Sequence, residues 1–254
     1  MKISVITVAL NNKQTIEDTI LSIISQDYYD IEYIIIDGGS TDGTLSTIKK
    51  YKNHISVLIS EKDNGIYDAM NKGLSIAKGE VIGFLNSDDI YIYPQVLSEV
   101  ISTFAKQNVD AVFGDLVYVS PQNINRIIRY YDSSKFEPKM LLKGHMPAHP
   151  SLFFRKSIYE KFGFFKTDYD IAADFEFAVR VFSKGHINYY YLSKCLVKMR
   201  TGGASTKTLK SNFVLNKEII RACRENGLNT NYLKVYSKYI TKIIGLVTKS
   251  QHRN

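Results

Sequence analysis

Glu32-Tyr33-Ile34-Ile35-Ile36-Asp37-Gly38-Gly39-Ser40-Thr41-Asp42-Gly43-Thr44 is the stretch that decides the fold. An apolar, β-branched run stops at a carboxylate, passes two glycines and meets Ser-Thr-Asp, a good helix start. A short apolar run bounded by turn residues reads as a buried strand. Working outward, similar runs occur at 3–8, 55–59, 80–85 and 110–118, with helical patterns near 14–25, 42–51, 66–77 and 94–106 between them. Ile16, Ile20, Ile23 and Ile24 recur at helix spacing, and Pro94 suits a first helical turn. Strands alternating with helices predict an α/β fold: a mainly parallel sheet with helices on both faces.

The rest of the chain is read more coarsely. Met1–Leu10 reads as a buried first strand, because it runs straight into Asn11-Asn12-Lys13 with no small-residue cleavage site. All five prolines fall between 94 and 150, and 119–150 reads as an irregular connection with an edge hairpin. A strand near 151–154, a helix near 173–184, strands near 187–191 and 195–200, and helices over 207–226 and 231–248 follow. The division expected is a catalytic domain over 1–206 and a basic helical extension over 207–254.

Ligands of parallel sheets bind outside the carboxyl ends of the strands. There the sequence places three polar loops: 37–44 after the second strand, 60–65 after the third, and Asn86-Ser87-Asp88-Asp89 after the fourth. The adjacent carboxylates Asp88 and Asp89 repel one another, and a hard cation such as Mg²⁺ or Mn²⁺ relieves that cost; a helix cap is the plainer role. Asp37 can accept hydrogen bonds from a base or ribose, or close its own Gly-Gly turn. Asp174 opens an amphipathic helix carrying Phe177 and Val181, as a cap or as a general base. His145 and His149 flank Pro147, so they form no helical metal pair; each is a loop histidine or a contact to phosphate or acceptor. Arg200-Thr201-Gly202-Gly203 enters a helix, where backbone N–H groups favour anions; a flexible turn is the alternative.

Charge is divided unevenly. The chain carries 33 basic and 25 acidic residues, yet residues 1–183 are net −4 and residues 184–254 net +12, with Glu218 and Glu225 as the only acids of that second stretch. A mildly acidic first part argues against broad nucleic-acid binding. Two cysteines are too few for a disulfide framework or a zinc site, which suits a reducing compartment.

As an ordered set these stretches resemble the inverting glycosyltransferases of family 2, which have the A-type nucleotide-diphospho-sugar transferase fold, a Rossmann-like sheet. The resemblance rests on Ser4-Val5-Ile6-Thr7 with Asn11-Asn12, the quoted 32–44 stretch, Ser60 to Gly73, Leu85 to Asp89, His149-Pro150-Ser151, and Ala173 to Phe177 with Arg180. It implies that Thr7, Asn11 and Asp37 line a nucleoside pocket, with Asp63 and Asn71 nearby in the nucleotide-sugar site. Asp88 and Asp89 then stand for the family's DxD motif, holding ribose and an Mn²⁺ or Mg²⁺ bound to the diphosphate. Asp174 becomes the catalytic base, with Arg180 orienting its helix or a neighbouring acid. Arg200 and the glycine loop are expected to close over the diphosphate. Three positions depart from the family habit: Leu10 for an aromatic, Asn86 for the first acid of the metal motif, and Ala173 for the Glu before the base.

The expected partners are a nucleotide-diphospho-sugar, UDP-sugar favoured, and a glycan or lipid-linked acceptor in surface polysaccharide, lipopolysaccharide or capsule synthesis. Two other readings stay open: a degenerate binding module and a nucleotidyltransferase. Over 231–248, Tyr232, Val235, Tyr236, Tyr239, Ile240, Ile243, Ile244 and Val247 form an apolar stripe, with Lys234, Lys238 and Lys242 on another face. Such a helix lies in an anionic membrane interface or packs on the catalytic domain. The corresponding location is cytoplasmic, with peripheral contact at the inner face of the cell membrane in the first case.

Overall fold

The computed structural model describes residues 1–202 and 209–237. Its parallel half is built from β1 (Ile3–Ala9), β2 (Ile31–Asp37), β3 (Val57–Ser60) and β4 (Val81–Phe84). These strands run in the order β3-β2-β1-β4, and every pair is parallel. Between them lie α1 (Ile16–Ile24), α2 (Thr44–Lys50) and α3 (Ile66–Ile76). Beyond β4 the sheet becomes mixed. It continues through β5 (Asp89–Tyr91), β6 (Ala111–Val119), β7 (Ile127–Tyr131), β8 (Leu152–Arg155) and β9 (Tyr189–Arg200). The order there is β4-β8-β6-β9-β5, with β7 on β6 as the expected edge hairpin. The helices of this half are α4 (Val96–Gln107), α5 (Lys156–Phe162), α6 (Ala173–Lys184) and α7 (Leu209–Glu225).

Alternation explains the two-sided burial. Ile34 and Ile36 of β2 join Ile6 and Val8 on one face, while Tyr33 and Ile35 join Val5 and Ala9 on the other. Successive side chains of a strand point to opposite faces, so both must be covered. One cover is α1 and α4, with Ile16, Ile20, Val100 and Phe104 buried. The other is α3, α6 and α7, with Met70, Leu74, Phe177, Val181, Ile219 and Ile220 buried. Helix α7 therefore shares a core with α6. Gly73 lets α3 lie close on β1: a Cβ there would meet Ile6 Cγ2 at 2.5 Å.

Register sets the level of the loops. Ala9 pairs Asp37, and Asp37 pairs Ser60, so the carboxyl ends of β1, β2 and β3 stand side by side.

Several local expectations change. Pro94 precedes α4, which starts at Val96, so it lies just outside the first turn. Asp42 lies ahead of α2, accepting from the Thr44 and Lys13 amides. The two expected strands at 187–191 and 195–200 are one long strand with irregular register near Asp115. Helix α5 and strand β5 were not anticipated: seven and three residues are too short for a clear period. Residues 203–208, with most of the glycine loop, and 238–254, with most of the amphipathic stripe, lie outside the described residues. Residues 232–237 are helical, with Val235 buried and Tyr232 and Leu233 exposed. Among the described residues no helix is long and apolar enough to cross a membrane.

Candidate functional site

The first cluster of site residues forms where β1, β2 and β3 end. Asn11, in a left-handed conformation (φ 55°), accepts from the Thr41 amide at 2.9 Å and donates its own amide to Ser40 Oγ at 2.8 Å. Asp37 is fully buried and accepts from Ser60 Oγ at 2.6 Å and the Ser40 amide at 3.2 Å. It thus closes its own Gly-Gly turn and joins β2 to β3. Asp63 lies against Gly38: a Cβ on Gly38 would stand 2.3 Å from Asp63 Oδ2. The glycine leaves room for that carboxylate, whose other oxygen accepts from the Gly65 amide at 3.0 Å.

Two expected pocket residues are engaged elsewhere. Thr7 is fully buried in β1 and donates to the Leu85 carbonyl at 2.8 Å. Asn71 makes a two-way link with Phe165, donating to its carbonyl at 2.8 Å and accepting from its amide at 3.0 Å. Both hold the walls of the site in place.

The second cluster is the carboxylate pair. Asp89 begins β5 and pairs with Met199 of β9, so no helix follows for it to cap. Its carboxylate is completely buried beside the Asn86 side chain, and neither its oxygens nor Asn86 Oδ1 meet a donor at full hydrogen-bonding geometry. Burial, and then the charge of Asp88, push the Asp89 carboxyl well above the usual range against the opposing pull of Arg200. Asp88 is half-buried and shifted up by the same desolvation, again opposed by Arg200.

Arg200 is held within the fold. It is buried at the end of β9, donates to the Asp88 carbonyl at 2.7 Å and pairs with Asp18 of α1. It braces the Asp88-Asp89 turn, and its terminal nitrogens are committed to the Asp88 carbonyl and to Asp18. Thr19, one residue on in α1, donates to the Asp89 carbonyl at 2.8 Å.

Among the described residues no group of three or more His, Cys, Asp or Glu side chains could hold a metal ion unaided. The buried oxygens of Asp89 and Asn86 beside the lifted Asp88 are nevertheless hard donors lacking a positive partner. That set fits Mg²⁺ or Mn²⁺, which take one or two carboxylates and complete their shell with phosphate oxygens and water.

The third cluster surrounds Asp174. Ala172 is the residue preceding α6 and Asp174 lies in its first turn, so the cap reading of Asp174 falls away. The Tyr67 hydroxyl, at the start of α3, lies 3.2 Å from Asp174 Oδ1 and donates to the Ile171 carbonyl at 2.5 Å. Burial and then the Asp174 charge push the Tyr67 hydroxyl well above its ordinary value, so it stays a donor. His149 stacks on Phe84 with ring centres 5.7 Å apart and meets Phe165 edge-on. Burial holds its pKa below the ordinary value although the Asp174 charge pulls the other way. The ring is packed on both aromatic neighbours, and its Nε2 is buried without a hydrogen-bond partner. Arg180 bonds Glu176 at 2.8 Å and the carbonyls of Phe162 and Phe164, which ties α6 to the segment before it.

Sequence reasoning assigned no role to Tyr67, Asp18 or Glu218. Tyr67 lies inside a quoted motif. Asp18 carried no signal. Glu218 had one: it is an isolated acid in a basic stretch.

Residues 4–163 match the model of glycosyl transferase family 2. An uncharacterized glycosyltransferase of Mycobacterium tuberculosis is 32% identical over 181 residues, which cover 70% of this chain and 68% of the relative. A PGL/p-HBAD biosynthesis glycosyltransferase of Mycobacterium bovis is 26% identical over 222 residues, 86% of this chain and 82% of the relative. In fold, the chain is similar to S. aureus TarS 1–349 in complex with UDP-GlcNAc, with TM-score 0.71, 19% identity and coverage of 90% of this chain and 68% of that one. It is also similar to the mannosyltransferase PcManGT of Pyrobaculum calidifontis in complex with GDP-Man and Mn²⁺, with TM-score 0.64, 19% identity and coverage of 88% and 63%. An α/β sheet with its polar loops on one edge, the family match over most of the chain and a relative above 30% identity agree: this chain is a glycosyltransferase and belongs to family 2.

Proposed function

We propose that the chain transfers a sugar from a nucleotide-diphospho-sugar to an acceptor hydroxyl by a single inverting displacement, with Asp174 as the base. The observation that carries this reading is the setting of Asp174: its carboxylate lies against Tyr67, at the start of a helix entered from the carboxyl edge of the parallel strands. The loop cluster of Asn11, Asp37 and Asp63 lies at the same edge and supports a nucleoside site. Asp88 and Asp89 would hold Mn²⁺ or Mg²⁺, which when bound neutralises the charge developing on the leaving diphosphate.

Asp174 accepts the proton of the attacking acceptor hydroxyl. That oxygen forms the new glycosidic bond at the anomeric carbon as the bond to the diphosphate breaks from the opposite face. Tyr67 shares its one hydroxyl proton between the Ile171 carbonyl and Asp174 Oδ1, which ties the carboxylate to that turn, and Arg180 fixes its helix. The packed rings of Phe84, His149 and Phe165 support that wall of the site.

The donor favoured is a UDP-sugar, in line with the ligand of TarS, while PcManGT holds GDP-Man. The acceptor is a glycan or lipid-linked hydroxyl compound of surface polysaccharide, lipopolysaccharide or capsule synthesis. The +12 balance of residues 184–254 supports contact of that part with an anionic membrane surface. The catalytic domain over 1–206 is proposed to carry the donor and base sites.

A thermal-shift screen of UDP, GDP and their sugars with Mn²⁺ tests donor binding, because a ligand of the native state raises the melting temperature. The expected result is a shift with UDP-sugars that survives Asp174→Asn while sugar transfer is lost. Full transfer by Asp174→Asn overturns the assignment of the base.

A further inference from the structure

Helix α6 lacks a cap of its own. Ala172 precedes it and makes no side-chain cap bond, although the first N–H groups of a helix need acceptors. The turn leading into α6 is held instead from α7, 46 to 48 residues further along, at the amide of Ala172 and the two amides before it. Glu218 accepts from the amides of Asp170 at 2.7 Å, Ile171 at 3.0 Å and Ala172 at 2.9 Å. Its side chain is 8% exposed, so water does not readily replace it. Charge-assisted bonds of this kind are roughly twice as strong as neutral ones.

The peptide of Ile171 is thus gripped from two sides. Its N–H goes to Glu218, and its carbonyl goes to the Tyr67 hydroxyl that also faces Asp174. The segment before it is bound to α7 as well. Lys166 lies 2.8 Å from Glu225, Tyr169 donates to Glu225 at 2.9 Å, and Arg221 pairs with Asp168. The two acids of the basic stretch therefore both hold the segment leading into α6.

We infer that Glu218 is a positioning residue for Asp174, and that α7 is part of the catalytic unit. Glu218 acts through the 170–172 turn and Tyr67, setting the direction from which the Asp174 carboxylate meets the acceptor. The inference rests on the reading of Asp174 as the base. Glutamine at 218 keeps the size but offers one acceptor oxygen to three N–H groups and turns its own donors toward them. The turn then loosens while the nucleotide loops, on other elements, are unchanged. A misplacement of about 1 Å in a reacting group can cost on the order of 100-fold in rate.

The test compares wild type, Glu218→Gln, Glu218→Asp, Asp174→Asn and the Glu218→Gln/Asp174→Asn double variant in the full chain. Turnover of UDP-N-acetylglucosamine with Mn²⁺ and amide hydrogen exchange are measured on each. For Glu218→Gln we expect faster exchange at 170–172, a kcat about 10- to 100-fold lower and a donor KM within about twofold of wild type. Glu218→Asp, which keeps the charge, recovers part of the rate. The double variant is no slower than Asp174→Asn alone, because both changes act on one group. A folded Glu218→Gln protein with wild-type kcat overturns the inference. So does a loss of donor affinity that matches the loss of rate. If Asp174→Asn keeps full transfer, the base assignment fails, and that result is separate from the response of Glu218.

Discussion

The Tyr67 hydroxyl lies 3.2 Å from Asp174 Oδ1 and 2.5 Å from the Ile171 carbonyl, so one phenol joins α3 to the start of α6 across more than a hundred residues. Tyr67→Phe keeps the ring, which packs 5.9 Å from Phe165, and removes only the hydroxyl. A part-buried carbonyl then loses its partner, at about 1 kcal/mol. The expected outcome is a folded protein melting a few degrees lower, with transfer slowed about tenfold or more at unchanged donor affinity. Steady-state kinetics beside a melting curve check it; wild-type kcat would show that Asp174 needs no support from the phenol.

Asp89 is a carboxylate whose charge is disfavoured by full burial and by Asp88 next to it. Asp89→Asn removes that charge and the repulsion on Asp88. Without metal, the variant should melt about 2 °C or more above wild type. With Mn²⁺ the order should reverse, because wild type gains stability by binding the ion and the variant does not. Equal Mn²⁺ shifts in the two proteins would exclude Asp89 from the metal site.

Gly38 offers a test of the nucleoside pocket that leaves the core alone. A Cβ there reaches within 2.3 Å of Asp63 Oδ2, the far end of a side chain that can swing away. Gly38→Ala should therefore keep its melting temperature within about 2 °C while UDP binding weakens several-fold. Calorimetric titration with UDP and Mn²⁺ measures this, and unchanged affinity would place Asp63 outside the pocket.

The α7 clasp has a pH signature. Burial pushes the Glu225 carboxyl up, but bonds from Lys166, Arg221 and Tyr169 outweigh it and hold it at about 2. An acid depressed in the folded state gives stability that is complete above its unfolded value of about 4.3 and is lost as pH falls through its folded value. Between about pH 4.5 and 2, wild type should thus lose melting temperature more steeply than Glu225→Gln. The effect is modest because the side chain is partly exposed and screened. Parallel melting curves against pH decide it; identical slopes mean that the clasp adds nothing to stability.

Much of the fold was legible because the parallel half obeys short-range rules. The runs at 3–8, 32–37 and 80–85 became β1, β2 and β4, since β-branched residues between turn signals have few other outcomes. Asp37 ends β2, Asp63 lies in the loop after β3, and Asp88 and Asp89 follow β4, in stretches whose Gly, Asp and Ser content indicated turns. The surroundings of Arg200 were not legible, for a physical reason. Beside a glycine loop it looked free to close on an anion, but β9 runs beside β5 and buries it under the Asp88 turn, where Asp18 answers its charge.

By itself, then, the sequence determined the alternating α/β order, the edge on which the polar loops gather, and the carboxylates available for donor and acceptor chemistry. Those follow from periodicity and local turn chemistry, which act over a few residues. Only the tertiary structure decided which carboxylates are satisfied and which are left in need of a partner. Asp37 is closed by Ser60, Asp89 is sealed without a donor at full hydrogen-bonding geometry, Asp174 is met by Tyr67, and the turn before it is held by Glu218. Such pairings join residues tens of positions apart, and burial sets their strength, so they come into being only when the sheet and its helices pack.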